Sequence, residues 1–497
     1  MQPDTTLSRR QLAERAALCG ILAVAAAARL WFLTAGVPHS VGIDEPQVVD
    51  RAMRILRTGE WNTHLFDYPT LVIYLQAAVA IVRFLWGALS GEWASLDAYS
   101  IAAVYGAGRF VAAMIGVAAV WLTWRLARDL SSRPVALLAA AQLAVWPLHV
   151  RESHFILTDV PMTTLTLLAL WLSVRAGRLQ TVAAYAWAGA ACGLAAAAKY
   201  TGGAVIVAAG MTWLLHEWHA RDRGLKAFAI VAGAGVAFLV AAPFTLLDMP
   251  AFLDGFAAQF ARFSAPSAGA EPPWLTYVKH LSPPFARWTV PIAVAGIVML
   301  LWRHRTRRAW APPIAFVAFF FYVLSSHSHV FGRYALPLVP MLAILTSVVV
   351  AELIRALRRV PSLSGPWALR LMWTAAVVLL LWARVSVSVR WLDDLKRADT
   401  RALAVAWLKA SAPKGSRVAV ENSGPTYLDA AGFRVVPSQV LVDRPLDWFR
   451  QRADYIVISS ADLSRYGDYV NAGPTVFQIA PTPQRWGPPI LIVRVAH

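Results

Sequence analysis

Along this chain the apolar positions do not alternate with polar ones. They run together in blocks of roughly 16 to 21 residues, broken by short basic clusters, and a helix of that length crosses about 30 Å of hydrocarbon. The blocks fall at 16–37, 105–125, 135–150, 160–175, 182–198, 203–216, 227–247, 288–302, 312–330, 335–355 and 371–388, which predicts eleven membrane spans. A further stretch, 69–89, holds Gln76 and Arg83. A central Arg costs about 2.5 to 3.5 kcal/mol to insert, so this stretch reads as a helix along the interface. From about residue 390 the apolar runs shorten. Ser416 to Glu421, Asp454 to Ser460 and Ile490 to Val495 read as strands, while 399–410 and 445–452 read as helices. The expectation is a polytopic α-helical membrane domain over 1–389 followed by a small α/β extracytoplasmic domain over 390–497.

Composition agrees with that pattern. The chain has 497 residues, 58% apolar and 15% charged, whereas soluble domains carry about 45 to 50% apolar and about 25% charged residues. An ordinary soluble enzyme is excluded. The formal net charge of +18, from 46 Lys and Arg against 28 Asp and Glu, would suggest nucleic acid in a soluble protein. Here the surplus lies in short loops, where it reports orientation. Clusters near Arg125, Arg175, Arg221, Arg303 and Arg355 are all cytoplasmic if 69–89 does not cross. The run Ser8, Arg9, Arg10, Gln11 before the first block can belong to a cleavable or twin-arginine signal, but the block is long enough to span and reads as a signal anchor. This threading puts the N-terminus in the cytoplasm. Loop 38–68, the turn around Arg151 to Asp159, Lys199, loop 248–287, Arg333 and the tail then share the outer face. Cys19 and Cys192 lie inside expected helices, so no disulfide framework follows.

The suspicious polar residues gather on that outer face. Asp44 and Glu45, in VGIDEPQ, are either a solvated or helix-capping pair before Pro46, or a general base or metal ligand. FDYPTL closes the same loop with Asp67 and Tyr68, close behind His64. Arg151, Glu152, His154 and Asp159 crowd one short turn, more than helix-end snorkelling requires. Arg151 and His154 there could bind an anion, with Glu152 or Asp159 orienting them or holding a cation. Lys199 with Tyr200, and Arg333 with Tyr334, place cations at the outer ends of apolar helices, where Lys and Arg are sparse. Either they are interfacial anchors or they capture an anionic headgroup.

This order of motifs resembles the GT-C superfamily of polyprenyl-phosphate-sugar glycosyltransferases, nearest the protein O-mannosyltransferase and lipid A aminoarabinose transferase group. The motifs are DE in the first outer loop, an aromatic-Pro junction, R-x-x-H before Asp-x-Pro, then K-Y-T and a late R-Y-x-L-P-x-x-P, spread over about residues 20 to 350. The resemblance implies a sugar transferred from a polyprenyl-phosphate donor to an acceptor hydroxyl. It makes Asp44 the base with Glu45 as helper, and gives the donor phosphate to Arg151, His154, Lys199 and Arg333, with His64, Asp67, Tyr68, Asp159, Tyr200 and Tyr334 in the same substrate-binding set. Asp159 stands where a second acidic motif is expected, but Asp-Val-Pro brings no further carboxylate. A two-carboxylate metal site at that turn therefore lacks support. No cofactor follows from the sequence, although a divalent metal on Asp44, Glu152 or Asp159 is a candidate.

The chemistry suits these residue types, because fixed cations stabilise charge developing on a departing phosphate. A single carboxylate base then gives inversion by direct displacement. The expected partners are the donor lipid, an acceptor that is a lipid, an envelope glycan or a protein Ser or Thr, and the bilayer. The setting is a prokaryotic inner membrane with a periplasmic or extracellular active site. The rival is a polyprenyl-lipid flippase or transporter, but such proteins usually hold substrate near the bilayer midplane between inverted repeats, whereas these charges gather at one surface. An assembly factor would account for the tail but not for the Arg151 to Asp159 turn.

Overall fold

The computed structural model describes residues 9–264, 271–326 and 329–496. Ser8, the expected loop's residues 265–270 and His497 of the tail lie outside the described residues. Among the described residues nine helices are long and apolar enough to cross a membrane, the shortest 19 residues and the longest 30. Each of the eleven expected blocks coincides, over its described residues, with a helix for most of its length. Eight of them meet the length of a span, while Arg133–Ala144, Val182–Ala198 and Ile206–Glu217 have 12, 17 and 12 residues. The ninth long helix is Leu71–Leu89, the stretch expected at the interface. Its Arg83 lies near the C-terminal end, pairs with Glu92 at 2.7 Å and stacks 4.5 Å over Trp93. The charge that argued against crossing is thus partnered and off-centre.

The chain forms two compact units. The first comprises residues 1–31, 51–82 and 108–389, and the second 32–50, 83–107 and 390–497. In the first unit, small residues let helices touch backbone to backbone. A β-carbon on Gly189 or Gly193 would come within 2.1 Å of the Ile230 or Ala234 carbonyl, and one on Gly233 within 2.4 Å of the Ala186 carbonyl. Helices Val182–Ala198 and Arg223–Ala241 therefore pack as tightly as lipid-embedded helices allow. The buried amide of Gln142 donates to Ser347 at 2.8 Å and to the Ala343 carbonyl at 3.1 Å, so this polar group costs the apolar core little. Large apolar side chains such as Trp302, Leu379 and Val240 point outward, as lipid contact requires.

The second unit contains an α/β domain with strands β1 (Ala398–Asp399), β2 (Arg417–Glu421), β3 (Arg434–Ser438), β4 (Tyr455–Ile458), β5 (Thr475–Ile479), β6 (Arg485–Trp486) and β7 (Ile490–Arg494). Five of them form a sheet in the order β3-β2-β4-β7-β5, with β2 parallel to both neighbours and β7 antiparallel to both of its own. Pro437 sits on the edge strand β3, where a missing N–H is tolerated. Strand β4 is buried along its whole length. Ala404, Val405 and Leu408 of helix Thr400–Ser411 cover one face, and Phe449, Tyr466 and Tyr469 cover the other.

Candidate functional site

In the first unit three apolar helical segments deliver charge to one carboxylate. Asp159 opens helix Asp159–Leu179, where the helix dipole favours an anion. Lys199 ends helix Val182–Ala198 in an extended conformation, and its Nζ reaches Asp159 Oδ1 at 2.7 Å. Arg333 comes from the turn Gly332–Leu338, with Nε 3.8 Å from Asp159 Oδ2. The Asp159 side chain is 3% exposed, whereas Lys199 and Arg333 keep 14% and 22%. The acid is the buried anchor and the cations retain access. The Tyr334 ring lies 4.2 Å from Lys199 Nζ, and the Arg333 guanidinium lies over both Phe331 and Tyr334.

A second ion pair joins the cluster electrostatically. Arg151 donates from Nε and a terminal nitrogen to one oxygen of buried Glu152, at 2.8 and 2.6 Å. Burial pushes the Glu152 carboxyl up, Arg151 pulls it down, and the charges of Asp159 and Arg333 also reach it. His154 takes another role. Its ring nitrogens lie 2.9 and 3.1 Å from the Val150 and Trp31 carbonyls, and burial lowers its pKa to about 4. These two contacts brace the turn around His154.

The closing segment of the first loop meets the same region of this unit. Tyr200 Oη donates to the Phe66 carbonyl at 3.1 Å, and the Phe66 ring packs edge-on against Phe252. Asp67 is held by Arg51 at 3.1 Å and by the Tyr68 amide at 3.2 Å. His64 is exposed, 2.6 Å from Glu60 and 3.5 Å from Asp248.

Asp44 and Glu45 belong to the second unit. Glu45 begins helix Glu45–Thr58, and its buried carboxylate accepts the Gly42 amide at 2.7 Å while its own amide donates to the Gly42 carbonyl at 3.0 Å. Glu45 thus closes the turn in which Asp44, partly exposed, is presented. Among the described residues no three His, Cys, Asp or Glu side chains lie together closely enough to hold a metal ion. Asp159 and Glu152, two of the metal candidates, instead face cations.

Sequence reasoning missed several participants. Arg51 was overlooked because a lone Arg on a loop helix gives no signal. Tyr277 and His280, on helix Pro273–Leu281, line the first unit's charged cluster: burial raises Tyr277, with Tyr334 and Asp159 adding to it, and burial plus the Arg151 charge lowers His280. Arg29 was visible as a charge inside the first apolar run. It is buried and donates to the carbonyls of Ala25, Leu143 and Ala144, so it caps helix Arg133–Ala144.

Residues 100–246 match the Dolichyl-phosphate-mannose-protein mannosyltransferase family. No curated protein sequence matches the chain. Its fold is similar to that of ArnT from Cupriavidus metallidurans bound to undecaprenyl phosphate, at 15% identity and TM-score 0.61, covering 96% of this chain and 97% of that one. It is also similar to the archaeal oligosaccharyltransferase AglB from Archaeoglobus fulgidus, in complex with an inhibitory peptide and a dolichol-phosphate, at 11% identity and TM-score 0.63, over 90% of this chain and 70% of that one. At such identities the likeness speaks for the fold. The long apolar helices, the small sheet domain and these neighbours together make this a multi-span membrane protein with the fold of the GT-C glycosyltransferases.

Proposed function

We propose that this protein moves a sugar from a polyprenyl-phosphate donor to an acceptor hydroxyl, with inversion, at the extracytoplasmic face of a prokaryotic inner membrane. The observation that carries the reading is the pair of cations, Lys199 and Arg333, converging on one buried carboxylate at the ends of apolar helices. With Arg151 on Glu152, three cations stand against two carboxylates, so the cluster retains capacity for an anion. A lipid phosphate supplies that anion beside hydrocarbon-facing helices. ArnT in its complex with undecaprenyl phosphate supports a lipid donor by analogy of fold.

In the proposed step the acceptor oxygen bonds to the anomeric carbon as the bond from that carbon to the phosphate oxygen breaks. The bonding pair leaves with the polyprenyl phosphate, and the hydroxyl proton passes to the Asp44 carboxylate. Charge grows on the departing phosphate, and prepositioned Lys199, Arg333 and Arg151 stabilise it there more than in the ground state. Asp159 and Glu152 hold these side chains ready in the absence of donor. The preferred acceptor is a lipid or envelope glycan, with a protein Ser or Thr as the other class. With Leu71–Leu89 along the interface, the positive-inside rule favours an N-terminus in the cytoplasm and the α/β domain outside.

The test is transfer of radiolabelled sugar from a panel of polyprenyl-phosphate sugars into membrane extract by wild type and Asp44→Asn. Label moving only with wild type supports the assignment, and the labelled product names the acceptor class. No transfer by either, with donor lipid still bound, favours a flippase. Equal transfer by both removes Asp44 as the base.

A further inference from the structure

Residues 38–50, which carry Asp44, are held within the second unit by the α/β domain. Thr426 makes three of the contacts. Its Oγ1 donates to the Pro38 carbonyl at 2.6 Å, its amide donates to the His39 carbonyl at 3.0 Å, and its own carbonyl lies 3.0 Å from His39 Nδ1. Arg401, braced by two bonds to Asp399, donates to the Val41 carbonyl at 3.1 Å. Tyr427 Oη donates to Asp50 Oδ1 at 2.9 Å and lies 2.9 Å from the Tyr105 hydroxyl. These contacts bracket Asp44 on both sides in sequence.

Two further features fix the geometry. Tyr427 adopts φ of +50°, a left-handed conformation that a bulky residue rarely takes unless its surroundings impose it. Within the loop, Gly36 at φ +75° lets its carbonyl accept the Ser40 amide at 2.6 Å, and a β-carbon there would meet the Ser40 oxygen at 2.4 Å. A surface loop without such ties samples many conformations. A general base needs one, because misplacement by about 1 Å can cost about 100-fold in rate.

We infer that the α/β domain is a clamp on the acidic loop, with Thr426 and Tyr427 as positioning residues that hold Asp44 where it can take the acceptor's proton. This rests on the reading of Asp44 as the base. It assigns the domain a part in the chemical step rather than in recruiting a partner.

The experiment uses the full-length protein in lipid nanodiscs and compares wild type, the double variant Thr426→Val/Tyr427→Phe, Thr426→Ser and Asp44→Asn. Amide exchange across 38–50 and sugar transfer are both measured, and exchange across 455–458 reports whether the sheet stays folded. The double variant should exchange at least about 10-fold faster across 38–50, with 455–458 unchanged. Its kcat should fall by about 10- to 100-fold with the KM for donor unchanged. Thr426→Ser, which keeps the hydroxyl, should behave as wild type. Unchanged exchange across 38–50 in the double variant overturns the clamp, and so does faster exchange with undiminished kcat while Asp44→Asn is inactive. Full activity in Asp44→Asn removes the base reading and with it the positioning role, and the exchange result then decides alone whether the loop is clamped.

Discussion

Helix Val182–Ala198 has a lysine ion pair near each end, and the two are built differently. At one end Lys226 meets Glu217 at 2.7 Å and Asp222 at 2.9 Å, while Tyr185 Oη donates to Glu217 at 3.0 Å. One cation there faces two carboxylates, and every group has a partner inside the network. At the other end Lys199 and Arg333 share Asp159. Both ends hold an ion pair on a buried carboxylate, but the first is closed and the second retains positive charge. The balance of charge, more than burial, separates a structural staple from a binding site.

The sharpest way to break this comparison is to remove each lysine. Lys226→Met should leave Glu217 buried without its cation and lower stability by about 3 to 5 kcal/mol, with specific activity of the remaining folded protein preserved; denaturation in detergent and transfer per folded molecule check this. Lys199→Met should do the reverse. Arg333 still faces Asp159, so folding survives, while transfer falls by about 100- to 1,000-fold. Equal loss of stability in the two variants would falsify the distinction.

A smaller effect probes the packing between the two ends. Gly233→Ala pushes a methyl into the Ala186 carbonyl and should cost about 1 to 3 kcal/mol. Gly235→Ala, two positions on in the same helix, meets nothing within 4 Å and should be neutral or gain up to about 1 kcal/mol. Thermal unfolding of the pair measures the difference. The smallest effect is expected from pH at the cation-rich end. His154 in the folded protein takes its proton near pH 4, and the unfolded chain near 6.5. Its contribution is therefore complete above pH 6.5 and is lost as pH falls through that window, at no more than about 1.4 kcal/mol per pH unit. The fall in Tm between pH 7.5 and 5 should be shallower in His154→Asn.

Much of the helical plan was legible because apolar length is a strong signal in lipid. Its detail was less legible. Arg83 reads as an isolated charge, and a sequence does not show that Glu92 and Trp93 fold back to cover it. The short helices Arg133–Ala144 and Ile206–Glu217 read as spans because apolar residues of the neighbouring short helices Pro147–Glu152 and Tyr200–Val205 extend their blocks. At the site, Asp159, Lys199 and Arg333 stood out individually, and the structure brings them together. Glu45 and His154 were legible as polar residues but not as braces, since their partners are the main chain of Gly42, Val150 and Trp31. Backbone acceptors leave no mark in a sequence.

The tie between His39 and Thr426 spans 387 positions. At about 5 to 20 residues per second of synthesis, roughly 20 to 80 s pass between the emergence of the two. For that interval the acidic loop has left the ribosome while its clamp is still unmade. A nascent chain halted before residue 426 therefore carries Asp44 on a loop that lacks these ties, so the geometry proposed for the base is acquired only once residue 426 has been made.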